Sequence, residues 1–254
     1  MRNLVYTAAV AACCLATPAF AEDGDWSGAY IGISAGYTAA KSDSTAVIGG
    51  SWTSESVALQ NEVTSRLAQD QSFDDVNFGG QIGYNYQTGG AVMGIEFDMS
   101  ALSGSEVLVR GPIATTAFPA LSYTYTNRID PKHMFSIKGK LGAAMGNTLL
   151  YVEGGWAWTK AELGADLSSN GGYSKSGRLS KTMDGFIVGG GIEQRFGGNV
   201  SVRLSYHYTD QGSESYATAY NAGSSFAPPG NNYTEVMTQD LRLHLVRVGL
   251  NFHF

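Results

Sequence analysis

The stretch that decides the fold is Leu241-Arg242-Leu243-His244-Leu245-Val246-Arg247-Val248-Gly249-Leu250-Asn251-Phe252-His253-Phe254. Read backwards from Phe254, the residues Phe252, Leu250, Val248 and Val246 are apolar at every second position, with His253, Asn251, Gly249 and Arg247 between them. A period of two is a strand with one apolar and one polar face. Left as the open edge of a soluble sheet, such a strand is an aggregation hazard. As the closing strand of a membrane barrel, its apolar face meets lipid. Leu241, Leu243 and Leu245 have the opposite parity to Val246 and Val248. Either a bulge resets the register there or this upper part lies beyond the bilayer.

Seven further segments alternate in the same way, near 29–38, 76–87, 91–101, 135–143, 150–159, 186–196 and 200–209, giving eight strands. The connections alternate as well. Thr88-Gly89-Gly90, Met145-Gly146-Asn147 and Gly197-Gly198 read as tight turns, whereas 41–73, 102–133, 162–180 and 212–240 read as long loops. Short turns on one side and long loops on the other predict an all-β, eight-stranded antiparallel transmembrane up-and-down β-barrel, with both ends on the periplasmic, short-turn side. Within the loops, Val57, Leu59, Val63 and Leu67 suggest a short helix inside 51–70. The alternation from Leu121 to Thr126 suggests an extension of the fourth strand.

A lipocalin-like barrel would show the same alternation with its apolar face inside. Three features favour the membrane orientation. The polar face is rich in glycine, as at Gly32, Gly83 and Gly189, which suits a narrow lumen. Its charges nearly balance, with Glu96, Asp98, Glu153 and Glu193 set against Lys138, Lys140, Arg195, Arg203 and Arg247, as buried charges require. Aromatic residues gather at the strand ends, in one ring of Trp26, Tyr84, Tyr86, Phe196, Phe252 and Phe254 and another of Tyr37, Trp156, Trp158, Tyr206 and Tyr208, the expected interfacial girdles.

The amino terminus agrees. Residues 1–21 carry Arg2, a short apolar run and Ala19-Phe20-Ala21 before Glu22, which reads as a secretory signal peptide. A lipoprotein reading with Cys13 acylated leaves a very short apolar region upstream. Residues 22–254 then form a single barrel domain. Both cysteines of the chain lie in the signal segment, so the mature chain has no disulfide, Cys metal site or thiol nucleophile. The full chain has a net charge of −6, which is no nucleic-acid footprint.

The pieces Trp26-Ser27-Gly28-Ala29-Tyr30-Ile31-Gly32, Gly79-Gly80-Gln81-Ile82-Gly83-Tyr84-Asn85, Gly94-Ile95-Glu96-Phe97-Asp98 and Lys138-Gly139-Lys140-Leu141-Gly142 form an ordered series. It continues with Leu149 to Ala157, Tyr206-His207-Tyr208-Thr209-Asp210 and the terminal Phe254. This series resembles the small alphaproteobacterial outer-membrane β-barrel proteins, the porin-family or OmpA-like eight-stranded barrels, although Lys138, Lys140 and His207 stand where that pattern commonly has Arg. The resemblance implies a cell outer membrane location and a structural or cell-surface role. It also implies contact with outer-membrane lipid and assembly by the barrel-assembly machinery, which reads the last strand and Phe254. Some relatives bind haem or host surfaces through loops. A surface receptor or adhesin for haem or a host component, or a narrow low-conductance porin, are therefore the alternatives.

No catalytic, cofactor-binding or metal residues are assigned, and the chain is read as no enzyme. Ser205, His207, Thr209, Asp210 and His244 cluster in the last two strands. However, Ser205 and His207 lie two strand steps apart, roughly 7 Å, a backbone spacing that does not favour the direct bond of a nucleophile–base pair. His133, His207, His244 and His253 are scattered and show no metal-ligand spacing. Gly189-Gly190-Gly191 lacks the following helix of a phosphate loop.

Overall fold

The computed structural model describes residues 24–196 and 198–254. The expected signal segment, with Cys13, lies outside them. The chain runs β1 (Gly28–Ser42), β2 (Ser44–Gly50), a 3-10 turn (Ser51–Ser54), α1 (Val57–Leu67), β3 (Gln71–Thr88), β4 (Ala91–Leu102), β5 (Glu106–Ala114), β6 (Ser122–Met145), β7 (Thr148–Ser169), β8 (Ser174–Arg195), β9 (Val200–Ala217), β10 (Ala219–Tyr220) and β11 (Tyr233–His253). Eight of these strands, β1, β3, β4, β6, β7, β8, β9 and β11, pair antiparallel in that order, and β11 pairs back onto β1 from Tyr30↔His253 to Lys41↔Arg242. The sheet closes into an eight-stranded ring, and the last strand is the one that closes it.

The strands outrun what a bilayer needs. A membrane strand uses about 9–11 residues, whereas β6 has 24 and β11 has 21. The excess lies on the long-loop side. There, much of what the sequence suggests as loop is sheet: β7 continues to Ser169 and β8 resumes at Ser174, so the expected loop 162–180 shrinks to a turn. β2 lengthens the wall by pairing with Tyr233–Gln239 of β11, and β5 does so by pairing with Ser122–Ile129 of β6. The ring thus has a belt at the turn end and a head at the other.

The side-chain pattern changes between these regions while the parity is kept. On β7, Leu150, Val152, Trp156 and Trp158 face outward in the belt and Glu153 faces inward. Further along, Leu163, Ala165 and Leu167 turn inward with at most 2% exposure, while Glu162 and Ser168 face out. β11 does the same: Val246, Val248, Leu250 and Phe252 are exposed, whereas Leu241, Leu243 and Leu245 are each 0% exposed. The parity change in the sequence is therefore where the strand leaves the apolar belt, and β11 itself keeps its register through it. The bulge is on the neighbour. Between Asp240 and Arg242 of β11 the register with β9 shifts, and β9 takes the extra residue at Gln211 and Gly212, the latter at φ +66°. That positive φ suits glycine, and inward burial passes from Gln211 to Tyr216 across it.

α1 fills the head. The Ser56 side chain accepts from Leu59 N at 3.3 Å as the N-cap. Leu59, Val63 and Leu67 recur every four residues on one buried face. The helix is seated by polar contacts at its end: Asn127 Nδ2 donates to Leu67 O at 3.0 Å, and Ser44 Oγ donates to Gln69 O at 2.8 Å. Its buried face joins Trp52, Tyr123, Tyr125, Ile129, Met237 and the three β11 leucines in one apolar core.

Candidate functional site

The parity of the belt sends its charged residues into the lumen, and the register brings opposite signs together. Glu96 of β4 stands directly across from Lys138 of β6, and Lys140 stands across from Glu153 of β7. Arg203 reaches them from the far wall. Glu96 lies at the centre. Its carboxylate is 2.8 Å from Lys138 Nζ and 3.2 Å from Lys140 Nζ. It also accepts two bonds from Arg203, at 2.6 and 3.1 Å, and one from Tyr30 OH at 2.7 Å. Glu153 lies 3.0 Å from Lys138 and 3.5 Å from Lys140. Lys138 is held by charge more than by directed bonds, because its Nζ aligns no hydrogen bond with either carboxylate. One step nearer the head, Asp98 pairs with Arg247 at 2.9 Å. One step nearer the turns, Glu193 accepts from Asn251 Nδ2 at 2.8 Å and lies against Ser201 and His253. Glu96, Lys138, Lys140, Arg203 and Arg247 are each at most 1% exposed.

The glycines of this wall make room for the network. A Cβ on Gly83 would stand 2.4 Å from the Tyr30 ring and hydroxyl, and so would displace the phenol that holds Glu96.

Both ends of the network are closed. Toward the head, Met134, Ala157, Ile187 and Leu245 occupy the inward positions, each at most 1% exposed. At the turn end the seal is Trp26. The sequence places Trp26 in an interfacial girdle; in the structure it is 0% exposed and plugs the ring. Its indole donates to Gly146 O at 3.1 Å, its ring meets His253 edge-on at 5.6 Å, and the Arg195 guanidinium lies 4.8 Å from its centre. Tyr84, Tyr86, Phe196 and Phe252 do face outward. So do Tyr37, Trp156, Trp158 and Tyr206 of the other girdle, where Trp156 Nε1 donates to Asp184 at 3.1 Å, as an interfacial indole should.

The Ser/His group of the last strands is taken apart. His207 lies 3.0 Å from Glu153 inside the lumen, the Ser205 hydroxyl has no hydrogen-bond partner among the described residues, and His244 is on the outer surface, where it bonds Tyr206 OH at 2.8 Å. His133 is exposed and His253 is buried at the turn end. No group of three or more His, Cys, Asp or Glu that could hold a metal occurs among the described residues.

A second polar cluster, in the head, was not legible in the sequence. Glu235 is 0% exposed and lies 2.6 Å from Lys175; it accepts from Trp52 Nε1 at 2.6 Å and from the hydroxyls of Tyr173 and Thr218. Burial, then the charge of Glu235, pushes the Tyr173 hydroxyl well up from its ordinary pKa. Lys175 and Glu235 fall in stretches that read as loop, and only their strand parity would have paired them.

A closed ring with an apolar outer belt, paired girdles and charges inside is an outer-membrane β-barrel. The chain belongs to the family described as outer membrane protein beta-barrel domain, whose profile matches residues 7–254. It is 32% identical over 143 residues to a 22 kDa outer membrane protein of Rhizobium leguminosarum bv. viciae, an alignment covering 55% of each chain. The chain thus spans about half the length of that relative. It is 28% identical over 240 residues to a 31 kDa outer-membrane immunogenic protein of Brucella melitensis, covering 90% of this chain and 84% of that one. Among solved structures, the outer membrane protease OmpT of Escherichia coli overlays with a TM-score of 0.48 at 9% identity, covering 94% and 99% of the two chains. The protein is located in the outer membrane, as these relatives are.

Proposed function

We propose that the protein is a non-catalytic structural barrel that holds a folded head at the cell surface, with a lumen closed to solutes. The observation that supports this most is the Glu96-centred network, in which three cations and two carboxylates fill the cross-section between the Trp26 plug and the apolar floor of the head. A narrow eight-stranded lumen packed in this way has no room for a water-filled pore. In this reading the short turns and both chain ends are periplasmic, the head faces outward, residues 1–21 are removed on export, and Phe254 with β11 guides assembly into the membrane. The Brucella relative is described as immunogenic; a folded head is the part of this chain that a surface role would use.

Planar-bilayer recording of the refolded chain tests the closed lumen. Silent membranes are expected, with current steps appearing in a variant that opens the plug, such as Trp26→Ala combined with Glu96→Gln. Conductance steps in the unmodified protein would overturn the proposal.

A further inference from the structure

At the top of the head, between the segments 115–121 and 221–232, lies a cavity of about 260 Å3. Its walls are aromatic: Trp52, Tyr123, Tyr173, Phe226 and Tyr233 line it, and Glu55 stands among them. The rings meet mostly edge to face, Trp52 and Tyr233 at 4.8 Å, Tyr173 and Tyr233 at 5.6 Å and Tyr173 and Phe226 at 5.7 Å, so their planes stand at steep angles to one another. No Lys, Arg or His lines the cavity. Glu55 has no cationic partner among the described residues, and its carboxylate takes a single bond, from Tyr233 OH at 2.6 Å. The Tyr123 side chain is only 5% exposed, and its hydroxyl makes no hydrogen bond among the described residues. That hydroxyl is pushed up in pKa, first by burial and then by Tyr125, Glu55 and Glu235.

We propose that this cavity is a binding site for a small organic cation, an ammonium group on an apolar or aromatic body. Aromatic faces attract such a cation through their quadrupoles, and quaternary ammonium recognition uses cages of this kind. Glu55 supplies the counter-charge that the cage lacks. The head already contains one such arrangement, with Lys175 Nζ 4.6 Å from the Tyr220 ring beside Glu235. In that case the ammonium is the protein's own and its carboxylate is saturated; at Glu55 the corresponding place is open. The absence of basic residues from the lining argues against an anionic ligand.

The test is calorimetric titration of benzyltrimethylammonium into the refolded full chain in dodecyl maltoside, a detergent without an ammonium group. Saturable one-to-one binding is expected, weakened about tenfold by Glu55→Gln and abolished by Glu55→Lys. Benzoate should give no heat, and benzyl alcohol should bind far more weakly than the cation. Folding of the head in each variant is read from the protease resistance of α1 and β5. Three results would overturn the proposal: no heat with the cation at millimolar concentration, binding of benzoate or benzyl alcohol as tight as that of the cation, or an unchanged affinity in folded Glu55→Gln.

Discussion

The belt and the head are one sheet with opposite insides. In the belt, inward positions hold Glu96, Lys138, Glu153 and Arg203 while Val152 and Leu250 face out; in the head, inward positions hold Leu163, Leu167, Leu241 and Leu243 while Glu162 and Arg242 are exposed or partly so. The backbone alternation is common to both, so the difference comes from the solvent outside. Lipid outside makes apolar side chains cheap on the outer wall and leaves the polar set to the lumen. Water outside reverses the sorting, and the head buries its leucines like a soluble protein, each contributing roughly 1.5–3 kcal/mol. The comparison teaches that parity alone does not locate the membrane along a strand; the point where the chemistry of the two faces swaps does.

The largest effect expected from breaking this contrast is in the belt. Glu96→Leu leaves Lys138 and Lys140 with Glu153 alone and takes from Arg203 its carboxylate partner, an uncompensated buried charge costing about 3–5 kcal/mol. The heat-modified band on a gel should appear at a clearly lower temperature. Lys41→Ala, an exposed change at the far end of β1, should alter stability by no more than about 0.5 kcal/mol. Equal shifts would show that the network is not what holds the belt.

Next comes the head. Leu67 is 0% exposed at the end of α1, and truncating such a leucine to alanine costs about 2–5 kcal/mol. If belt and head are separately held, Leu67→Ala should speed proteolysis of α1 and β5 and leave the mobility shift of the barrel unchanged. A barrel that melts together with its head would join the two regions into one cooperative unit.

The degree to which each region could be read in advance follows from the same contrast. The closing strand, the tight turns and the eightfold count were visible because the belt repeats one simple pattern bounded by glycine turns. The inward set from Glu96 to Arg247 was visible for the same reason. Apart from the extension of the fourth strand read at Leu121 to Thr126, which β6 contains from Ser122, the head was not visible as sheet, because its strands mix Ser, Thr, Gly and Asn outward with small apolar residues inward. Ala165 looks like loop composition until the wall it lines is known. Leu241, Leu243 and Leu245 carried the signal, yet in isolation they fit a bulge as well as a change of solvent. Trp26 was misplaced because strand-end aromatics usually face the interface, and nothing in its neighbours showed that the chain before β1 turns under the ring. The Lys175–Glu235 pair depends on β8 and β11 meeting across the head, which no local pattern reveals.

Alkaline pH should separate the two regions by a smaller margin. In the head, burial pushes Tyr125 up to about 12, and burial also raises Tyr173 and Tyr216. A free tyrosine ionises near 10. The folded head therefore holds these phenols neutral, and their contribution is complete below about pH 10. It is lost as the pH rises above that value toward the folded-state values, because only the unfolded chain can release the protons. Near-UV circular dichroism should weaken between about pH 10 and 12 while the far-UV strand signal of the belt persists. Simultaneous loss of both signals would contradict the separation.

The smallest effect concerns what holds α1 in the head. Ser56 caps the helix through a bond of 3.3 Å to Leu59 N, at the long end for such a contact. Removing a cap costs typically about 1 kcal/mol, so Ser56→Ala should raise amide exchange in the first turn about fivefold. Exchange at the other end, where Asn127 and Ser44 hold Leu67 and Gln69, should stay as it was. The ratio of the two perturbations is informative. If Leu67→Ala disturbs α1 much more than Ser56→Ala, the helix is there because the apolar floor of the head needs filling, and its own local propensities matter little. If the cap matters as much as the leucine, α1 is an independently formed element resting in the head. The leucines of β11 would then face a removable lid, and the closed lumen would depend on the belt alone.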